Sequence, residues 1–132
     1  MGGDGLVSLR SDVPAHETLE RLLKAIANRD LTVFARVDHA AGAQAVGLSL
    51  PATEVVIFGN AKGGTGLMQD RRSAGIDLPL KAPVWEDADG STSLTYNDPA
   101  WIASRRSLGT KSASAIKAMA EMLSAIAKEV TT

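Results

Sequence analysis

An α+β fold is predicted for this chain: a curved, mostly antiparallel sheet of five strands, with two main helices on one face and short helical insertions. Three observations predict it. Five short segments rich in Val, Ile, Thr and aromatic residues are separated by Gly, Pro, Asn and Asp. Two longer segments repeat apolar residues at helical spacing, one early and one at the C-terminal end. The order is strand, helix, four strands, helix, and two amphipathic helices need an apolar surface that one sheet face supplies.

Gly5–Ser11 alternates as a first strand. From His16 to Asn28, Leu19, Leu22, Leu23 and Ile26 form an apolar stripe, while Glu17, Glu20, Arg21 and Lys24 take other faces. Pro14 stands at the start of this helix, where its missing N–H matters least. Leu31–Val37 reads as a second strand. Asp38 can cap a short helix over His39–Val46, with Gly47 at its end. Thr53–Phe58 is a third strand. A glycine-rich turn then leads to a short helix around Thr65–Arg72, followed by a loop over Ser73–Pro79.

Leu80–Trp85 and Thr92–Tyr96 flank Asp89-Gly90, a hairpin signal. Pro83 marks an edge position or a bulge. Asp98-Pro99 combines a cap with an N1 proline before a short helix holding Trp101 and Ile102. Trp101 is expected to pack that helix onto the sheet. Ile116, Met119, Leu123, Ile126 and Val130 line one stripe of the last helix.

At 132 residues and 45% hydrophobic content, the chain suits one domain spanning 1–132 with a buried core. Aromatics are only 4%, so aliphatic residues must fill that core. The formal charge of −1 argues against a nucleic-acid binder, which needs a basic surface. There is no cysteine, which excludes disulfides, thiolate metal sites and cysteine nucleophiles. The N-terminus lacks the pattern of a signal peptide, and no apolar run approaches a membrane span. A cytoplasmic protein without a membrane partner is the expectation.

The stretch IFGNAKGGTGLMQD, residues 57–70, raises the one sharp functional question. Backbone amides, Lys62 and a helix N-terminus together are chemistry for an anion. It is not a Walker loop, which needs lysine directly after the second glycine. Alternatively, the glycines serve a turn and Thr65 caps the following helix. Asp38-His39 offers an imidazole beside a helix N-terminus, suited to ligand binding or to general acid–base work, or simply a capped, exposed first turn. Tyr96–Trp101 combines a phenol, an amide, a carboxylate and an indole, chemistry that can line a pocket, although Asp98 is also needed as a cap. No Gly-x-Ser-x-Gly elbow is present. A zinc site would need the fold to unite His16, His39 and carboxylates; no metal is expected. The acidic run Glu86-Asp87-Asp89 reads as a solvated hairpin turn.

TVFARVDHAAGA (32–43), TEVVIFGNAKGGTGLM (53–68), AGIDLPLKAPVWED (74–87) and YNDPAWIASR (96–105) together resemble the DUF302 family, also called TT1751-like, over nearly the whole chain. The resemblance implies a TATA-binding-protein-like α+β fold and a homodimer, and carries no reaction or cofactor. Ala61 and Gly66 stand where family members often have proline, so this loop is expected to be looser here. The leading expectation is a small anionic ligand held by His39, Asn60, Lys62, Gly64 and Thr65 at the ends of strands two and three, with Asp98 beside them. The alternatives are an interaction module acting through its dimer surface, and an enzyme with His39 as general acid or base, oriented by Asp38 or Asp98.

Overall fold

The computed structural model describes residues 3–132. Its strands are β1 (Leu6–Ser11), β2 (Thr32–Asp38), β3 (Thr53–Gly59), β4 (Leu80–Glu86) and β5 (Thr92–Asn97). Its α-helices are α1 (Ala15–Asn28), α2 (His39–Ala45), α3 (Ala61–Asp70), α4 (Pro99–Arg105) and α5 (Ala113–Thr131). Every strand pairing is antiparallel, in the order β1-β5-β4-β3-β2. The α+β class is therefore as expected.

Register explains the core. Directly opposed residues of an antiparallel pair share a face. Val56 lies opposite Ala82, Phe58 opposite Leu80, Val84 opposite Leu94, and Tyr96 opposite Val7. These side chains meet Leu22 and Ile26 of α1 and Leu123, Ile126 and Val130 of α5 in one cluster. Burying each of the larger ones, such as Phe58, Leu22, Ile26 and Val130, is worth roughly 1.5–3 kcal/mol, so this helix-covered face is the main source of cohesion.

The expected caps form. Asp38 Oδ1 accepts from the Ala41 N–H at 2.9 Å, and Asp98 Oδ1 from the Ala100 N–H at 2.9 Å. Gly90 adopts φ +85°, a conformation that suits glycine, at the β4–β5 turn. Trp101 packs against Gly5, just ahead of β1, and the Arg105 guanidinium sits 5.1 Å over its ring.

Two elements depart from expectation. Pro83 lies at neither an edge nor a recorded bulge; β4 is the central strand, and Pro83 pairs with Val55. The ladder to β5 runs from Glu86 only as far as Val84. It ends where proline has no N–H to give.

The second departure is α3, which begins at Ala61 instead of near Thr65. Asn60 is its cap: Asn60 Oδ1 accepts from the N–H groups of Lys62 at 2.8 Å and Gly63 at 3.3 Å. Leu67, fully buried, anchors the helix to the body of the domain. Cap and anchor together outweigh the poor propensity of Gly63, Gly64 and Gly66, which lie inside the helix. The looser loop expected from Ala61 and Gly66 is thus a helical turn.

A network fixes the far end of α3. Asp70 Oδ2 accepts from the Gly109 N–H at 2.8 Å and from Ser112 Oγ at 2.6 Å. Nearby, Arg106 pairs with Asp77 at 2.6 Å. The segment joining α4 to α5 is thereby tied to α3 and to the turn after it.

Candidate functional site

The groove between α3, the start of β4 and α5 has a volume of about 510 Å3. It lies where β3 ends. Leu78 and Pro79 form one side, Ala115, Ala118, Met119 and Met122 of α5 another, and Met68 of α3 a third. Leu31 and Phe34, ahead of and within β2, complete the apolar wall. Asn60, Lys62 and Thr65 are its polar components, and all three residues are exposed. A volume in the range of small-molecule sites, apolar walls and a few polar groups are the general features of such sites.

The glycines of α3 help to shape it. A Cβ on Gly63 would stand 3.4 Å from Met119 Cε, and one on Gly64 would stand 4.0 Å from Leu78 Cδ1. Larger side chains there would project toward the groove's own walls. Three of the chain's four methionines line this space. Methionine is unbranched and polarisable, and it adapts to irregular apolar shapes.

Four of the expected site residues, Asn60, Lys62, Gly64 and Thr65, line the groove. Their roles differ from expectation. The Gly64 N–H bonds to the Asn60 carbonyl at 3.0 Å, and the Asn60 side chain holds the amides of Lys62 and Gly63. The backbone donors expected to cradle an anion are engaged within the protein. Thr65 lies in the second turn and caps nothing. The Lys62 ammonium is the remaining group with charge for an anion.

His39 does not join them. β2 and β3 are antiparallel, with Asp38 opposite Glu54 and Thr32 opposite Gly59. The C-terminal ends of the two strands therefore lie at opposite ends of the ribbon. Glu54 to Gly59 alone spans about 17 Å at the rise of an extended strand. His39 follows β2 at one end, and Lys62 follows β3 at the other. The shared hollow expected for these two residues does not exist.

Asp98 shares an end of the sheet with Asn60, because β3 and β5 are both antiparallel to β4 where they pair with it. It follows β5, which is two strands from β3 in the sheet order, and its carboxylate caps α4. It is not among the groove-lining residues. The carboxylates offered as partners for His39 are also committed elsewhere: Asp38 caps α2, and Asp98 is at the opposite end of the sheet.

The groove wall from α5 was missed by sequence reasoning. Met119 reads as part of the core stripe by its spacing, yet it faces the groove and is only half-buried. Ala115, Ala118 and Met122 carry no chemical signal that separates a groove from a core.

A helix-backed antiparallel sheet with an apolar groove beside one sheet end defines a small α+β domain. A family model described as "Domain of unknown function DUF302" matches residues 7–128, and the chain belongs to that family. Among solved structures, an uncharacterized conserved DUF302 protein from Bacillus stearothermophilus superposes with a TM-score of 0.84 at 16% identity, covering 96% of this chain and 98% of that one. That likeness supports the fold.

Among curated proteins, one from Brucella suis biovar 1 named fluoride-specific ion channel FluC 1 is 53% identical over 115 residues, 87% of this chain and 45% of that protein. One from Brucella melitensis biotype 1 named fluoride-specific ion channel FluC 2 is also 53% identical over 115 residues and is covered to 43%. The chain thus spans less than half of these relatives. Among the described residues, no helix is long and apolar enough to cross a membrane.

Proposed function

We propose that this domain binds a small amphiphilic anion, with an apolar body in the groove and its charged head at Lys62. The groove's lining carries this reading: Met68, Met119, Met122, Leu78 and Phe34 form the walls, and Lys62 is the cation among them. Apolar burial supplies affinity at roughly 25 cal/mol per Å2, and the ammonium supplies orientation. The domain works in the cytoplasm as a homodimer, the state that resemblance to the family implies. His39 is no part of the ligand site.

Octanoate and octanol, titrated by calorimetry, test the reading. Octanoate should bind and should weaken by about tenfold in Lys62→Ala, the scale of one charge-assisted contact of about 1.4 kcal/mol. Octanol should bind both proteins equally. No heat of binding from either compound would contradict it.

The curated relatives favour a second reading. A domain 53% identical to part of proteins named as fluoride-specific ion channels is a candidate accessory to such a channel. On that reading the domain acts on a membrane protein rather than on a free small molecule. Co-purification with a detergent-solubilised fluoride channel would support it, and unchanged channel flux with and without the domain would count against it.

A further inference from the structure

We infer that β2 and the connector after α2 form the surface on which a second copy of this chain docks, β2 pairing antiparallel with its counterpart. The inference rests on the homodimer stated above and adds where the two chains meet.

β2 is an edge strand, and all seven of its residues are exposed. An edge strand presents unpaired N–H and C=O groups, and proteins usually guard such edges with proline, lysine or free charge. β2 contains no proline and no lysine, and the register shift between Val33 and Ala35 leaves Ala35–Asp38 regularly paired to β3, so the edge from Ala35 onward is straight strand. Its single cation, Arg36, is turned back onto Glu54 of β3 at 2.6 Å. Hydrogen bonding to Glu54, then its charge, holds the Arg36 guanidinium above its ordinary pKa. Its single anion, Asp38, caps α2. Both charges on the strand are therefore engaged within the chain, and neither guards the edge.

The apolar surface is concentrated in the same place. Among the described residues, the exposed large hydrophobics include Val33, Phe34 and Val37 on β2 and Val46, Leu48 and Leu50 in the connector. Val46 and Leu48 are 72% and 67% exposed, and α2 between strand and connector buries none of its residues. Among the described residues, only Leu6 and Ile76 of this set lie outside residues 33–50. Such a patch on a soluble domain marks a contact. The other edge strand, β1, differs: Val7 and Leu9 pack onto the core, and the Asp12 N–H after it bonds to the Thr131 carbonyl.

A second copy fits better than a foreign chain. An antiparallel strand pair related by a two-fold axis is self-complementary, so one unguarded edge serves both partners. With the axis near Val37, that residue meets its own counterpart across the seam. A stable dimer takes about 20–30 residues from each partner, and the stretch 33–50 supplies most of that number alone.

Sedimentation equilibrium of the full chain tests this, with Val37→Lys combined with Leu48→Asp. Both positions are exposed, so the fold should be unaffected, as far-UV circular dichroism would show. The native chain should have twice the monomer mass, and the double variant should have half that value. In this cysteine-free chain, Val37→Cys should also give a covalent dimer on mild oxidation, and this decides the matter if the double variant fails to fold. A monomeric native chain would overturn both the homodimer and this surface. A native dimer that persists in the folded double variant, or that Val37→Cys fails to cross-link where that variant is unfolded, would overturn the surface alone.

Discussion

Asn60 Oδ1 lies 2.8 Å from the Lys62 amide nitrogen and 3.3 Å from that of Gly63, so one side chain closes the first turn of α3 from within. This contact converts a stretch that reads as a loose glycine loop into the wall of a groove. Asn60→Ala should lower unfolding free energy by about 1 kcal/mol, the usual effect of losing a helix cap. Asn60→Asp should retain most of it. Urea melts of the three proteins check this; equal midpoints for Asn60→Ala and the native chain would contradict it.

Gly66 sits inside α3 with nothing within 4 Å of where a Cβ would stand. Gly66→Ala should therefore raise stability, by up to about 1 kcal/mol, through helix propensity alone. Thermal unfolding measures the gain. A lower midpoint would mean that this turn is not helical in solution.

Gly5 has φ +75°, and a Cβ there would fall within the Trp101 indole. Gly5→Ala carries both a strained backbone and a steric clash, so a loss of about 2 kcal/mol or more is expected. Displacement of the ring should also disturb its packing with Arg105, visible in near-UV circular dichroism. A native-like spectrum and melt would show that the contact is not as close as described.

Acid should loosen the tie between α3 and the start of α5. The Ser112 hydroxyl, then the Gly109 amide, hold the Asp70 carboxyl below the usual carboxylate range. Its folded pKa lies below its unfolded one, so its stabilisation is fully present above the ordinary aspartate value of about 3.9 and is lost as pH falls through the folded value. Asp89 follows the same rule, held low by the Ser91 hydroxyl and then its amide. Asp70→Asn should flatten the acid limb of a stability–pH curve while lowering the neutral plateau. Parallel acid limbs in native and variant chains would exclude Asp70 as a contributor.

Much of the fold was legible because it rests on periodicity and caps. Leu22 and Ile26 of α1, and Leu123, Ile126 and Val130 of α5, repeat at helical spacing and all reach the core. Asp38 and Asp98 cap the helices their neighbours announce. α3 was misplaced because three glycines speak against a helix locally, while Asn60 and Leu67 act for it through a cap and through tertiary burial. The Pro83 expectation failed because proline forbids only the hydrogen bonds it would donate, and β4 simply ends its ladder to β5 there.

The site was half legible. Asn60, Lys62, Gly64 and Thr65 are adjacent in sequence, so they were found together. Grouping them with His39 overlooked a consequence of antiparallel order: successive strands end at opposite ends of the sheet. The groove's wall on α5 had no signature, since a methionine facing a groove and one facing a core have the same spacing.

The central claim is that the space lined by Met68, Met119 and Met122 receives the apolar part of an amphiphilic anion. Carbon-13 labelling of the methionine methyl groups gives each of these walls its own nuclear magnetic resonance signal, assigned by single Met→Leu substitutions. Titration with octanoate should shift all three signals along one saturating curve, with a weaker curve in Lys62→Ala. Three methyl signals that stay fixed while octanoate is shown to bind elsewhere, or not to bind at all, would contradict the account.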